Sequence, residues 1–246
     1  MKKLFALFFV VVLCLCSFSA LADIEVGKHS HFVLDYGEES KFKESYYIAY
    51  VTNNGTDNVY LGDVCLSLFD ENGDLIIQDI NPYDYASPYL ESAETSCIVF
   101  KTYYGESNYE KNPSSAKLEL IPQGNDIKEY ADINLSKSEI KTNEWFDSSQ
   151  YSMYVSIKNI SKKDYRDIKV ALVLEDKDGN PIYLRPFNLF NVIMRKDDSI
   201  TTYDKIDDSN YLDKALKNYF TTNNIVPVKV VSFVYYSEAD PAPGDE

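Results

Sequence analysis

Hydrophobic and polar residues alternate along much of the chain, in short runs that Gly, Asn, Asp and Pro interrupt. A period of two is typical of half-buried β-strands, and these runs are rich in Val, Ile, Tyr, Phe and Thr. Because no regular helices alternate with the strands, the pattern predicts an all-β antiparallel sandwich rather than a parallel βαβ sheet. The predicted strands lie within 24–34, 46–51, 59–69, 75–78, 95–102 and 116–121, and then within 130–135, 152–158, 165–174, 182–184, 199–203 and 226–236.

One stretch of this pattern occurs twice. Residues 51–76 align with residues 157–182 at a constant shift of 106 without a gap, and seven of the 26 positions are identical. Unrelated segments of ordinary composition would share roughly one or two. The identities fall on alternate strand positions and on a turn, so they predict a duplicated architecture rather than a duplicated active site. The identical pairs are Asn53 and Asn159, Val64 and Val170, Leu66 and Leu172, Leu68 and Leu174, Asp70 and Asp176, Gly73 and Gly179, and Ile76 and Ile182.

The repeat divides the chain into two predicted modules, 23–124 and 125–237. A short linker, in which Gly124 and Asn125 are breakers, would keep the modules in line or side by side. We expect the acidic, Pro-rich residues 238–246 to form a disordered tail.

One predicted element is not duplicated. Residues 207–220 read DDSNYLDKALKNYF, and their apolar residues follow the i, i+3, i+4 spacing of an amphipathic helix. Asp208 or Ser209 would be its N-cap. The second sandwich should therefore carry a short helix before its last strand. The simplest role for this helix is a structural lid over one open end of the sandwich.

Residues 1–22 have the pattern of a secretory signal peptide. Lys2 and Lys3 precede an apolar run over 4–18, and Ala20-Leu21-Ala22 supplies the small residues that signal peptidase needs. The apolar run is too short to span a bilayer comfortably. We therefore expect cleavage after Ala22, a secreted or otherwise extracytoplasmic mature chain, and no membrane insertion after cleavage.

The charge of the chain limits its partners. The sequence has 24 basic and 39 acidic residues, for a formal net charge of −15, and 45% of its residues are hydrophobic. Nucleic acids and anionic membranes both require basic surfaces, so the charge argues against either as a partner. The same charge is ordinary for a soluble, self-repelling exported protein.

Two cysteines remain after signal cleavage, Cys65 and Cys97, and they form a candidate disulfide in an oxidising compartment. At the repeat shift they correspond to Ala171 and Tyr203, so the fold does not require the bridge. Strand parity turns both cysteines away from the predicted core faces. A bridge would therefore link neighbouring strands of one sheet rather than cross the core. The sequence leaves the bonded and the free state open.

Two sets of residues could suggest a metal site, and each has a simpler explanation. In the duplicated turns, 70–74 and 176–180, Gly is fourth rather than sixth and no Glu is twelfth, so a calcium loop does not fit. Asn-Gly and Asp-Gly after an alternating strand are instead typical of hairpins. His29 and His31 share a strand face but have no third His or nearby Cys, and they predict an exposed pair on an edge strand. We expect no metal and no cofactor.

Nothing in the sequence marks a catalytic set. A Ser–His–Asp or Cys–His arrangement would have to use His29 or His31, and there is no G-x-S-x-G motif. No pair among the many acidic residues is singled out as a general acid and base. We therefore assign no catalytic residues and expect the protein not to be an enzyme.

Tyrosine-rich loops are the strongest sign of a binding site. Tyr83, Tyr85 and Tyr89 lie in one predicted loop, and Tyr103 and Tyr104 flank another. A Tyr ring can stack on a sugar or anchor a protein partner while its hydroxyl forms hydrogen bonds. The alternative is that these rings pack on the ends or the strand faces of the sandwich.

The repeated segment resembles the bacterial extracellular Ig-like modules of the FxLYD type and their uncharacterised relatives. The shared pattern is a strand, an N-x-S/T turn, a strand that ends in an apolar box with Asp, a D-x-x-G turn and another strand. The matching residues are 54–56, 66–70 and Gly73 in the first copy and 159–161, 172–176 and Gly179 in the second. Glu175 departs from the box, where an aromatic residue is usual. The resemblance implies two tandem Ig-like β-sandwiches at the cell surface, without a common ligand or activity.

These observations together predict an exported, non-catalytic binding protein whose partner is an unknown protein or carbohydrate at the cell surface. The alternative is a secreted enzyme, or an inhibitor of one, that works through the aromatic loops or through the helix near Lys214.

Overall fold

The computed structural model describes residues 23–36, 42–105, 108, 110–124, 133–142, 151–189, 191–206 and 211–238. Over these ranges the chain forms antiparallel sheets and one short helix, which confirms the predicted all-β, sandwich-like fold. The predicted signal peptide, linker residues 125–129, the N-cap candidates Asp208 and Ser209 and tail residues 239–246 lie outside the described residues. Within the described residues, no helix has the length and apolar character needed to cross a membrane.

The strands, in chain order, are β1 (Ile24–Asp35), β2 (Phe42–Asn53), β3 (Val59–Phe69), β4 (Leu75–Asp79), β5 (Asp84–Tyr85), β6 (Tyr89–Leu90), β7 (Thr95–Gly105), β8 (Ser115–Gly124), β9 (Ile133–Thr142), β10 (Tyr151–Asn159), β11 (Tyr165–Glu175), β12 (Pro181–Leu189), β13 (Ser199–Ile206) and β14 (Lys229–Glu238). The helix, α1 (Tyr211–Thr222), lies between β13 and β14.

Strands β1 to β8 form two sheets. The first, called the β1 sheet, has the order β1-β2-β7-β5. In the second, called the β3 sheet, β3 pairs with β4 and β6 along one edge and with β8 along the other. Val64, Leu66 and Leu68 on alternate positions of β3 share a buried cluster with Tyr47 and Ala49 of β2. The core face predicted from the alternation on β3 is therefore correct.

Strands β9 to β14 repeat this arrangement with fewer strands. The β10 sheet has the order β13-β10-β9, and the β11 sheet has the order β12-β11-β14. Strand β11 occupies the residues that the repeat aligns with β3, and β12 begins where the repeat aligns it with β4. Each of these sheets draws its strands from one half of the chain, as the duplication predicts.

The two halves pack sheet against sheet. On β2, Tyr47 faces the β3 sheet, whereas Tyr46 and Ile48 belong to a larger buried cluster that includes residues of β10, β11 and β12. Tyr50 Oη donates to Glu175 Oε1 at 2.7 Å across this contact. The sequence predicted modules in line or side by side; the structure stacks four sheets in the order β3, β1, β11 and β10.

The duplicated turns are hairpins, as predicted. In both turns the Asp side chain accepts backbone hydrogen bonds from the residues two and four positions further on, with Asp70 and Asp176 in the same role. Gly73 and Gly179 have φ of 83° and 74°, which side-chain-bearing residues rarely adopt. Within the described residues no three His, Cys, Asp or Glu side chains are grouped to hold a metal ion.

The two cysteines do not pair. Cys65 lies half-buried on β3 and Cys97 lies fully buried on β7, in different sheets, and both thiols are free. Cys65 points to the outer face of the β3 sheet, while Cys97 belongs to the cluster between the β1 and β11 sheets. Of the two states that the sequence leaves open, the structure has the free one, because the two side chains point away from each other on different sheets.

The histidines lie on the edge strand β1, as predicted, but only one of them is exposed. His29 stacks on Tyr47 with ring centroids 5.6 Å apart. The ring of His31 is mostly buried, and its Nε2 lies 2.7 Å from Ser45 Oγ. Burial and, to a smaller extent, the nearby His29 lower the pKa of His31 to about 4. The pair is a packing feature of the strand.

Candidate functional site

A cleft opens where helix α1 crosses the end of β1. It has a volume of about 480 Å³, which is within the usual range for small-ligand pockets. We call it the junction cleft because α1 comes from the second half of the chain and β1 from the first. Its lining residues are Val33, Leu34, Asp35 and Tyr36 from β1 and the residue after it, and Tyr211, Lys214, Ala215, Asn218, Tyr219, Thr222 and Asn223 from α1 and its end.

The two faces of α1 explain how the cleft is formed. Leu216 and Phe220 are buried in the cluster between the modules, and the Phe220 ring lies 5.8 Å from that of Phe32 in the first module. The helical positions opposite to these, three or four residues apart, carry Tyr211, Lys214 and Asn218 toward the cleft and solvent. The predicted lid thus covers an end of the fold, but the surface under it belongs partly to the other module.

A row of aromatic rings continues from the cleft along the β1 sheet. The Tyr36 ring lies 5.0 Å from that of Phe42, and Phe42 stacks on Tyr103 at 5.2 Å with an angle of 26° between the ring planes. The Lys101 ammonium lies 5.1 Å from the Tyr103 ring centre and 5.2 Å from that of Tyr83. We call these five residues the aromatic row. Tyr83 and Tyr103 are 56% and 50% exposed, so part of each side chain remains accessible to a ligand.

A buried carboxylate, that of Glu44, contacts two members of the aromatic row. Glu44 is almost fully buried and accepts a hydrogen bond from Tyr36 Oη at 3.0 Å. Its other oxygen lies 3.6 Å from Lys101 Nζ, which is an ion pair rather than a well-formed hydrogen bond. Because the Glu44 side chain contacts both Tyr36 and Lys101, it positions these two members of the aromatic row relative to each other.

The ionisation of this group follows from its burial. Burial raises the pKa of Glu44, and the Lys101 charge and the Tyr36 hydrogen bond offset part of that rise. Burial alone would lower the pKa of Lys101, but the Tyr103 and Glu44 oxygens outweigh it and raise that pKa. Burial, followed by the Glu44 charge, raises the pKa of Tyr36, which therefore remains a hydrogen-bond donor. The row thus combines flat aromatic faces with a cation whose charge is locally compensated.

The five predicted tyrosines do not form one site. Tyr83 and Tyr103 belong to the aromatic row. Tyr85 is half-buried, and its Oη donates to the Leu61 carbonyl at 3.3 Å, while burial raises its pKa to about 12. Tyr89 is half-buried and packs on Tyr60, with ring centres 5.2 Å apart. Both rings contribute to the first module rather than to an open platform.

Tyr104 is the clearest error in the predicted set. It is 2% exposed, and burial raises its pKa to about 12. Tyr103 and Tyr104 are neighbours on β7, so they point to opposite faces of the sheet, and a strand assignment alone would have separated them.

Sequence reasoning missed most of the cleft. Tyr36 follows β1 and Phe42 begins β2, and the hydrogen bond from Tyr36 N to the Phe42 carbonyl at 3.2 Å brings them together. A hairpin between two long strands predicts such a contact, since residues on either side of a turn become neighbours. Tyr211 and Asn218 lie on the helix that the alternative interpretation named through Lys214.

Comparisons with known proteins do not identify a relative. No protein-family profile matches the chain, and no curated protein matches it in sequence. Among solved structures, the crystal structure of red sea bream transglutaminase matches 87% of this chain and 29% of its own length, with 10% sequence identity and a TM-score of 0.23. This chain therefore spans less than a third of that protein.

Proposed function

We propose that this chain is an exported, non-catalytic binding protein that takes a carbohydrate at the junction cleft and the adjoining aromatic row. The observation that carries the proposal is that both halves of the chain contribute side chains to one concave surface with exposed aromatic faces. Export is supported by the signal-peptide pattern of residues 1–22.

The chemistry of the surface favours a sugar over other ligands. Tyr211, which is 83% exposed, offers a flat apolar face for the C–H face of a pyranose ring, and the half-exposed Tyr83 and Tyr103 belong to the adjoining aromatic row. Asn218 and Asn223 add amide donors and acceptors, and Lys214 and Asp35 add one charge of each sign. A neutral ligand rich in hydroxyl groups matches these described lining residues, in which one positive and one negative charge balance.

The strand order supports an Ig-like interpretation of the scaffold. The order β1-β2-β7-β5 corresponds to strands A-B-E-D of a constant-type Ig sheet, and β4-β3-β8 corresponds to C′-C-F. The relationship to FxLYD-type modules is part of the proposal. Such scaffolds present binding surfaces on loops and edge strands, and the junction cleft is lined in part by the end of the edge strand β1.

The proposal is tested by binding of the mature protein to a glycan array, followed by calorimetry with the best ligand. Tyr211→Ala and Lys214→Ala should each weaken binding about tenfold or more, since each removes a contact in the cleft. Lys177→Ala is the matched control, because this exposed lysine lies on the duplicated turn. The proposal fails if the array shows no ligand or if the control weakens binding as much as the cleft variants.

Two other outcomes would redirect the assignment. Capture of a protein partner that the same cleft variants abolish would keep the site and replace the ligand class. Turnover of a bound glycan would overturn the non-catalytic assignment. In that case Asp35, the one carboxylate among the described lining residues, would be the first residue to substitute.

A further inference from the structure

Strand β8 forms a long edge of the molecule. It pairs with β3 over almost the whole length of both strands, and within the described residues no strand pairs with its other side. A free edge of this length presents unpaired backbone N–H and C=O groups, which natural proteins usually cover or interrupt. Strand β1 lies close to β8, as β9 lies close to β14, the equivalent strand of the second module, but in the described part of the chain neither pair is hydrogen-bonded within a sheet.

The side chains of β8 divide between two faces. Ala116, Leu118 and Leu120 pack against the first core but are only partly buried. Lys117 and Glu119 point to the solvent face, where their Nζ and Oε1 atoms form an exposed ion pair at 2.6 Å. The edge therefore combines partly exposed apolar side chains with two opposite charges two residues apart.

This order of charges is complementary to itself. If two β8 strands pair antiparallel about a two-fold axis at Leu118, Lys117 of each copy lies opposite Glu119 of the other. In the same register Ala116 lies opposite Leu120, so the apolar face is also continuous. Opposite charges at directly paired positions stabilise a sheet.

The charges also exclude the neighbouring registers. Side-chain parity permits shifts of the axis by one residue at a time along β8. An axis at Lys117 would place the two lysines opposite each other, and an axis at Glu119 would place the two glutamates opposite each other. Like charges at paired positions destabilise the sheet, so Leu118 is the favoured centre.

We propose that β8 is a dimerisation edge, at which two copies of this chain join their four-stranded β3 sheets into one continuous eight-stranded sheet. Backbone hydrogen bonds supply the attraction and the Lys117–Glu119 pairs fix the register. Contact along a single strand buries little surface, so the dimer is of the weak, concentration-dependent class. This inference does not depend on the ligand of the junction cleft.

The test is sedimentation velocity of the mature chain from micromolar to near-millimolar concentration. The wild-type protein should form a dimer. Lys117→Glu and Glu119→Lys should each weaken it about tenfold, because each introduces two like-charge pairs per dimer. The double variant Lys117→Glu/Glu119→Lys should restore the dimer, since the swapped charges are again complementary. Circular dichroism confirms that the exposed substitutions leave the fold intact.

Covalent trapping locates the axis independently. In a Cys65→Ser background, Leu118→Cys should oxidise to a disulfide-linked dimer, because the same residue meets itself at the axis. Ala116→Cys should not, because it faces Leu120 of the second copy.

The proposal is overturned by a monomer at every concentration, by a dimer that both charge reversals leave unchanged, or by stronger trapping at position 116 than at 118. Binding of an unrelated extended peptide to β8 with no self-association would assign the edge to a different partner.

Discussion

Two asparagine side chains close equivalent loops in the two halves of the molecule. Asn53 Nδ2 donates to the carbonyls of Asp57 and Glu91 at 2.8 and 3.1 Å. Asn159 Nδ2 donates to those of Lys163 and Met194 at 2.8 and 3.0 Å. Both asparagines are fully buried, so one side chain in each half satisfies backbone groups from a turn and from a distant loop.

We expect Asn159→Ala to lower the free energy of unfolding by about 2–4 kcal/mol, because it leaves buried backbone groups without partners. Asn53→Ala should behave alike. The matched control is Asn54→Ala, which removes an exposed hydrogen bond to Glu25 and should cost less than about 1 kcal/mol. Chemical denaturation measures all three values. Equal losses for the buried asparagines and Asn54 would show that the loop bonds are not what makes these residues matter.

For single residues, the sequence predicted structural roles better than it predicted which side chains line the candidate binding site. The Asn53–Asn159 identity marked a structural residue, but the resemblance aligned Asn159 with Asn54, one position away from its true equivalent. Alternation assigned Tyr104 and Tyr103 to opposite faces in principle. It could not say which face of β7 another sheet would cover, because that depends on contacts far away in sequence.

The elements show why the stacking of the two modules was not predicted. The residues 46–51 of β2 and 170–174 of β11 are nearly continuous apolar runs rather than alternating ones. Such runs indicate strands buried on both faces. The repeat drew attention to the alternate positions that the copies share, and the remaining apolar positions, which form the contact between modules, differ between the copies.

Helix α1 offers a prediction at the scale of one element. Phe220→Ala should lower the free energy of unfolding by about 3–5 kcal/mol, because this ring is buried against Phe32 and its loss leaves a cavity. Tyr211→Ala should change stability by less than about 0.5 kcal/mol, since its ring is exposed. Thermal or chemical unfolding compares the two.

These two substitutions distinguish the side of α1 that stabilises the fold, tested by Phe220→Ala, from the side that would contact a ligand, tested by Tyr211→Ala. Under the proposed function, Tyr211→Ala weakens ligand binding without loss of stability. A large stability loss for Tyr211→Ala would mean that the cleft face of the helix is a packing surface, and it would remove the main reason to place a ligand there.

The whole molecule is best described as one stack of four sheets rather than two independent modules. The β1 and β11 sheets bury apolar side chains against each other, and polar pairs add specificity to the contact. Besides Tyr50 and Glu175, Lys169 Nζ donates to Asp84 Oδ1 at 2.5 Å across the same layer. Sheets that share a core in this way should unfold together.

Cys97 lies in the buried layer between the β1 and β11 sheets, and its chemical reactivity can be used to measure how that layer opens. Burial raises the pKa of its thiol well above the usual value, and the Glu175 carboxylate adds to the rise, so the thiol is both inaccessible and protonated in the folded state. In a Cys65→Ser variant we expect Cys97 to react with a thiol reagent only when the β1 and β11 sheets separate. If the stack unfolds as one unit, the free energy of opening from the labelling rate equals that from denaturant unfolding. The matched Cys97→Ser variant keeps the half-buried Cys65 on the outer face of the β3 sheet, and it should label without unfolding. Labelling of Cys97 at a much lower free energy than global unfolding would mean that the two halves part while each remains folded, and the junction cleft would then open and close with them.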